Sequence, residues 1–227
     1  MPSLPWLRRA IFSLLYHLYA KRKLRRKDAT RVLGFQFEVP ASVFHPQLFF
    51  SSRFLAQYLN ELSLDSLNVF EMGCGSGILS IVAASRGARV VCVDINPTAV
   101  EATRRNSEIN GLGHSISAHL GNLFNGIQPQ QQFDLILSNP PFYKGRPTDP
   151  AAMAWQGGED YDVIRSFIEQ APAYLKPTGI MLCVLSSDID LELMHSLFES
   201  AELDAQPVRM KNLLFERLWI YRAQKIS

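Results

Sequence analysis

Residues 68–77 read Asn-Val-Phe-Glu-Met-Gly-Cys-Gly-Ser-Gly, and the apolar run Ile-Leu-Ser-Ile-Val-Ala-Ala follows directly. An apolar segment that stops at Glu71 and gives way to glycines at 73, 75 and 77 reads as a buried strand turning at once into a helix. Glycine at alternate positions lets the chain turn tightly and approach a ligand with no Cβ in the way. The helix that follows offers free amide donors at its N-terminus. Taken alone, such a turn also suits a dinucleotide site, or a compact connection that binds nothing. Its neighbours decide.

Working outward, strands alternate with helices. Strands are expected over 68–72, 89–94, 115–120, 134–138, 179–186 and 217–222, and helices over 49–62, 78–86, 97–110, 161–175 and 190–201. Pro177 and Gly179 stop the helix that begins at 161. Near-continuous apolar strands separated by helices imply a parallel sheet covered on both faces. Ligands of such sheets bind outside the carboxyl ends of the strands, so the residues just after each strand carry the information. Upstream, 31–39 (Arg-Val-Leu-Gly-Phe-Gln-Phe-Glu-Val) alternates apolar and polar residues and reads as one short strand.

The second core strand ends in Val93-Asp94-Ile95-Asn96-Pro97. That places Asp94 where a carboxylate could accept hydrogen bonds from both hydroxyls of a ribose. Asn96, with Pro97 at the first helical position, suits a helix cap. After the third strand, Gly121-Asn122-Leu123-Phe124 offers a side-chain amide near the expected position of an adenine ring, an ordinary turn being the alternative.

The most specific feature is Leu137-Ser138-Asn139-Pro140-Pro141-Phe142, at the end of the fourth core strand. Two consecutive prolines end the strand and restrain the backbone. The Asn139 carboxamide oxygen and the Pro140 carbonyl can then both point into a cleft as acceptors. Two convergent acceptors suit a planar NH2 group whose lone pair is delocalised and poorly nucleophilic. Acceptors that follow the hydrogens as the nitrogen pyramidalises favour the transition state over the ground state. Phe142 is expected to give the target group a flat apolar face. Residues 145–150, rich in Gly and Pro, suggest a lip over the target.

Glu-x-Gly-x-Gly-x-Gly with an acid ending the next strand resembles class I S-adenosylmethionine-dependent methyltransferases, and departs from the dinucleotide fingerprint because its third glycine comes one residue early. The resemblance covers residues 43–222. It implies an α/β Rossmann-like fold with a seven-stranded, mostly parallel sheet, helices on both faces and the last strand antiparallel. It also implies a bound S-adenosyl-L-methionine, leaving as S-adenosyl-L-homocysteine. Glu71, Gly73, Cys74, Gly75, Gly77, Asp94, Ile95, Asn122, Leu123 and Asn139 would surround that donor, with Asn139, Pro140 and Phe142 as the catalytic set. Asn-Pro-Pro-Phe is similar to the signature of methyltransferases acting on planar nitrogens. Val43-Phe44-His45-Pro46 and Ala154-Trp155-Gln156-Gly157-Gly158 resemble the glutamine methyltransferases of HemK/PrmC type, although Phe142 replaces their usual tyrosine. That resemblance implies a protein substrate presenting a glutamine, such as a translation factor or ribosomal protein. The same motif occurs in small-subunit ribosomal RNA guanine methyltransferases, which leaves an exocyclic amine of RNA or DNA (adenine N6 or guanine N2) as the alternative acceptor.

The 227 residues carry a net charge of only +2, with 47% apolar and 19% charged residues, which excludes disorder over most of the chain. The balance is uneven. Residues 1–33 hold nine Lys/Arg against Asp28 alone, and the remainder fourteen Lys/Arg against twenty Asp/Glu. Residues 1–33 are therefore read as a basic amphipathic helical arm, and 34–227 as the methyltransferase domain. Leu7, Ile11, Leu14, Leu15 and Leu18 fall at helical spacing. Three uses of the arm stay open: packing on the body, contact with an acidic partner such as RNA or the ribosome, and a membrane surface or organelle-targeting role. Its apolar stretch is about half the length that a membrane span needs. Lys-Arg-Lys follows that stretch where a secretory cleavage site would stand. Cys74, Cys92 and Cys183 read as small core residues of a reducing compartment. The five histidines lack ligand spacing, so no metal is expected. A cytoplasmic monomer or weak dimer is the expected state.

Overall fold

The computed structural model describes residues 28–47, 50–128, 130–146, 156–214 and 216–226. The amphipathic helix read near the N-terminus falls outside them. The described chain opens with a hairpin of β1 (Asp28–Val32) and β2 (Phe35–Val39). The stretch read as one strand over 31–39 is therefore two. Leu33 and Gly34, at φ 50° and 88°, form the two-residue turn that folds it back, since a turn with both central residues at positive φ matches the twist of antiparallel strands. Residues 28–33, read as the end of the arm, belong to this hairpin.

The hairpin is held to the body by side chains that mimic a strand partner. On helix α3 (Pro97–Ile109), Asn106 Oδ1 accepts from Glu38 N at 2.8 Å, and its Nδ2 donates to Glu38 O at 3.0 Å and Ser76 O at 2.9 Å. Asn110, one turn on, bonds Gln36 N and O in the same way at 2.9 and 2.7 Å. Two amides spaced four apart lie on one helix face, so a single helix can satisfy the open edge of β2.

Beyond the hairpin lie α1 (Phe50–Leu59), β3 (Asn68–Met72), α2 (Ile78–Ser85), β4 (Arg89–Asp94), α3, β5 (Ile116–Leu120), β6 (Phe133–Ser138), α4 (Asp162–Tyr174), β7 (Leu175–Ser186), α5 (Leu191–Ser200), β8 (Leu203–Asn212) and β9 (Arg217–Lys225). The seven-stranded sheet has the order β5-β4-β3-β6-β7-β9-β8, with β9 antiparallel to both of its neighbours and the other pairs parallel. The Rossmann-like architecture with an antiparallel last strand is the expected one. Its seventh member, β8, contains Pro207, where its apolar–polar alternation (Leu203 and Ala205, then Val208 and Met210) changes phase and its register against β9 shifts. An edge strand tolerates both features because one face of its ladder is unpaired. β7 begins at Leu175 rather than at Gly179, and its pairing with β6 shifts register between Phe133 and Leu135.

The central strands are buried on both faces. Phe124 stacks on Phe70 at 4.7 Å and on Tyr174 at 4.4 Å between ring centroids, which ties the turn after β5 to the core. The three cysteines are free and buried. No helix among the described residues is long and apolar enough to cross a membrane.

Candidate active site

Three strand ends meet at one level. β3 lies between β4 and β6, and the register sets Met72 against Val93 on one side and Ser138 on the other. The residues that follow, Gly73, Asp94 and Asn139, emerge side by side. Chain order reverses between β3 and β6, the point at which open α/β sheets take ligands. Together with nearby loops these residues line a cleft of about 410 Å³, within the range of small-molecule sites.

One half of the cleft is the glycine turn. Gly73 has φ 77°, and a Cβ built there would meet nothing within 4 Å, so the backbone faces open space. Gly73 N and Cys74 N donate to Val93 O at 2.9 and 3.1 Å, stitching the turn to β4. At Gly77, φ 86°, a Cβ would lie 3.0 Å from Thr103 of α3; glycine is what lets α2 start so close to α3. Asp94 Oδ2 accepts from Gly75 N and Oδ1 from Asn96 N, both at 2.9 Å. Each carboxylate oxygen keeps a further lone pair. Burial raises the Asp94 carboxyl above its ordinary value, opposed by these backbone donors. Asn96 caps α3, accepting from Thr98 N at 3.0 Å. Glu71, 1% exposed, accepts a hydrogen bond from the Ser80 hydroxyl, and burial lifts its carboxyl to about 8. Ile95, Asn122 and Leu123 complete this wall.

The other half is the end of β6. Asn139 Nδ2 donates to Ser52 Oγ on α1 at 2.8 Å. Its Oδ1 is buried with no hydrogen-bond partner, in a residue that lines the cleft. A buried carbonyl oxygen left unpaired is uncommon and asks for an explanation. Pro141 lines the cleft, whereas Pro140 and Phe142 are buried and do not. The flat face expected from Phe142 is therefore not on the wall: the ring is 8% exposed and meets Tyr143 edge-on at 6.2 Å. Alternation along an extended segment sends Asn139 and Pro141 to one side and Pro140 and Phe142 to the other. Burial also favours an apolar ring over exposure.

The structure thus brings Glu71, Gly73, Cys74, Gly75, Asp94, Ile95, Asn122, Leu123 and Asn139 around one cleft, and leaves Gly77, Pro140 and Phe142 off its wall. It adds residues to which the sequence reading gave no role. Ser52 orients Asn139. Ser42, Val43 and Phe44 close one side, anchored by Asn96 Nδ2 donating to Ser42 O at 3.2 Å. Gln156, Gly157 and Gly158 close the other. Most of the expected lip lies outside the described residues. Its first residue, Gly145, and Tyr143 just before it pair with the segment beyond it through Gly145 N to Gly158 O and Gly157 N to Tyr143 O, both 3.0 Å. Among the described residues no group of three or more His, Cys, Asp or Glu could hold a metal ion.

Residues 35–211 match the family model of the methyltransferase small domain. The chain belongs to this family. The domain is accordingly of the S-adenosylmethionine-dependent methyltransferase class, and S-adenosylmethionine is its cofactor. It is 30% identical over 144 residues to ribosomal RNA small subunit methyltransferase C of Alcanivorax borkumensis, covering 63% of this chain and 40% of that protein. It is 34% identical over 134 residues to ribosomal protein uL3 glutamine methyltransferase of Bradyrhizobium diazoefficiens, covering 54% of this chain and 42% of that one. The match thus spans less than half the length of either relative. Among solved structures, a 16S rRNA N2 methyltransferase of T. thermophilus in complex with AdoMet and guanosine superimposes with TM-score 0.68 at 23% identity, over 88% of this chain and 50% of that one. That is a likeness of fold.

Proposed function

We propose that this protein transfers a methyl group from S-adenosylmethionine to a planar nitrogen, the side-chain amide of a protein glutamine, in the manner of the HemK/PrmC enzymes. The observation that carries this reading is the buried, unpartnered Oδ1 of Asn139, beside a glycine-lined bay in the same cleft.

The residues present fit the cofactor. The open space over Gly73 admits a ligand against the backbone. Asp94, with each oxygen already oriented by a backbone donor, has acceptor capacity left for two ribose hydroxyls. Asn122 would meet the adenine edge, and Glu71 would answer the charged amino group. S-adenosylmethionine supplies, when bound, a methyl group made electrophilic by its sulfonium. Asn139 Oδ1 accepts a hydrogen bond from the N–H of the substrate amide. That bond strengthens as the nitrogen leaves planarity and becomes positive, so it lowers the barrier rather than merely binding. A general base is not needed, because the proton becomes acidic only once the N–C bond has formed. Ser52, by engaging the Asn139 amide nitrogen, keeps the oxygen as the free end.

A ribosomal protein or translation factor is the corresponding partner and the cytoplasm the place of action, with the basic residues 1–27, which precede the hairpin, contacting the ribosome.

The test is to incubate the full chain with methyl-labelled donor and ribosomes from cells lacking it, then to separate protein from RNA. Label in protein that is recovered as N5-methylglutamine after digestion is the expected result. Label in RNA, as methylated guanine or adenine, would replace the glutamine reading by the nucleic-acid one.

A further inference from the structure

A second buried oxygen stands in the acceptor half. Gln156 Oε1, like Asn139 Oδ1, is buried without a hydrogen-bond partner, and both residues line the same cleft. The Gln156 backbone is pinned where the start of the lip pairs with the segment beyond it. It bridges Tyr143, and the next residue, Gly157, donates its N–H to Tyr143 O at 3.0 Å. Glycine at 145 leaves space for the side-chain amide, since a Cβ there would lie 3.1 Å from its Nε2. A folded protein that leaves one buried acceptor unmatched forgoes a hydrogen bond there, and two on one cleft call for a ligand carrying two N–H donors.

We infer that Gln156 is a positioning and specificity residue of the acceptor site, its Oε1 taking one hydrogen of the substrate NH2 while Asn139 Oδ1 takes the other. This rests on the amide-methylation reading. The chemistry has a consequence for the product. The nitrogen lone pair forms the N–C bond, the pair of the breaking S–C bond stays on sulfur, and the extra proton leaves the nitrogen for water. The product amide keeps one N–H, with a methyl in place of the other. It can no longer satisfy both oxygens, so a singly methylated amide is a poorer ligand than the unmodified one, and transfer stops after one methyl group.

The experiment measures binding by NMR titration to the full chain saturated with S-adenosylhomocysteine. The probes are N-acetylglutamine N-methylamide and its N5-methylated form, with guanosine and N2-methylguanosine as controls. The wild type is expected to prefer the unmodified amide about tenfold, the factor that one net hydrogen bond of about 1.4 kcal/mol represents. Gln156→Leu should lose that preference, and Gln156→Glu, which retains the acceptor, should restore it. S-adenosylhomocysteine affinity, measured separately, should be unchanged in both variants, which reports that they are folded. A Gln156→Leu protein that still prefers the unmodified amide tenfold overturns the inference. A wild type that ignores both amides yet prefers guanosine over N2-methylguanosine overturns the glutamine reading. In that event loss of the preference in Gln156→Leu supports the residue's role for an exocyclic amine, and its persistence refutes that role.

Discussion

The two halves of the cleft are built on opposite terms. On the glycine side the polar groups are already spoken for: Asp94 holds two backbone donors, Glu71 a serine hydroxyl, and the turn is sewn to Val93. On the β6 side two amide oxygens, those of Asn139 and Gln156, are buried with nothing to bond. A group with its partners in place is rigid and pre-shaped before any ligand arrives. An unpaired acceptor costs stability until a donor reaches it, and so ties the site to one ligand geometry. The first half suits a cofactor common to many enzymes, and the second a particular acceptor.

Breaking that contrast should give effects of graded size. The largest is expected at Asn139. Asn139→Ala should lower turnover by ~10²–10³, the range for losing one preorganised hydrogen-bonding group at developing charge, while donor affinity measured by calorimetry stays within about twofold. A large loss of donor binding instead would move the residue to the cofactor half.

Next is the hairpin that braces the glycine side. Asn106→Ala removes the partner of the part-buried Glu38 N and O and of the buried Ser76 O, and at about 1–3 kcal/mol per buried group left unpaired, less for the two part-buried ones, the unfolding free energy should fall by about 3 kcal/mol in urea titration. Donor affinity should fall with it, because Ser76 is on the cleft wall; a stability loss with intact donor affinity would uncouple the hairpin from the site. Asp94→Ala should weaken donor binding by ~1–3 kcal/mol, again the cost of unpaired buried partners; unaltered affinity would remove Asp94 from the ribose.

A further prediction sharpens the comparison through pH. Burial raises the Glu71 carboxyl from 4.5 to about 8 in the fold. The folded state therefore holds the proton more tightly than the unfolded state does, and the contribution to stability is fully present below 4.5 and lost as pH rises through about 8. Glu71→Gln, which cannot ionise, should raise the melting temperature of the donor-free protein more at pH 9 than at pH 5. Equal shifts at the two values would mean that the carboxyl is not held neutral.

Much of the cofactor half was legible in the residues themselves. Gly73 and Gly77 report a local backbone requirement, and Asp94 and Asn122 follow strands whose apolar runs are plain. The acceptor half was legible only in part. Asn139 announces itself beside two prolines, but Ser52 sits 87 residues away on another helix and carries no signal beyond its place at a helix start. Phe142 misled the reading, because an aromatic after two prolines has the same composition whether its ring faces a cleft or the core. β8 went unread because its alternation changes phase at Pro207, a residue that sequence patterns assign to turns rather than strands.

By itself the order of residues determined the alternating architecture and the glycine turn, since both follow from short-range geometry: strand and helix periods, and backbone angles that only glycine takes freely. Only the tertiary structure decided which oxygens lack a partner and which ring is hidden. Whether a polar atom is paired depends on what distant segments bring to it, and no local pattern contains that.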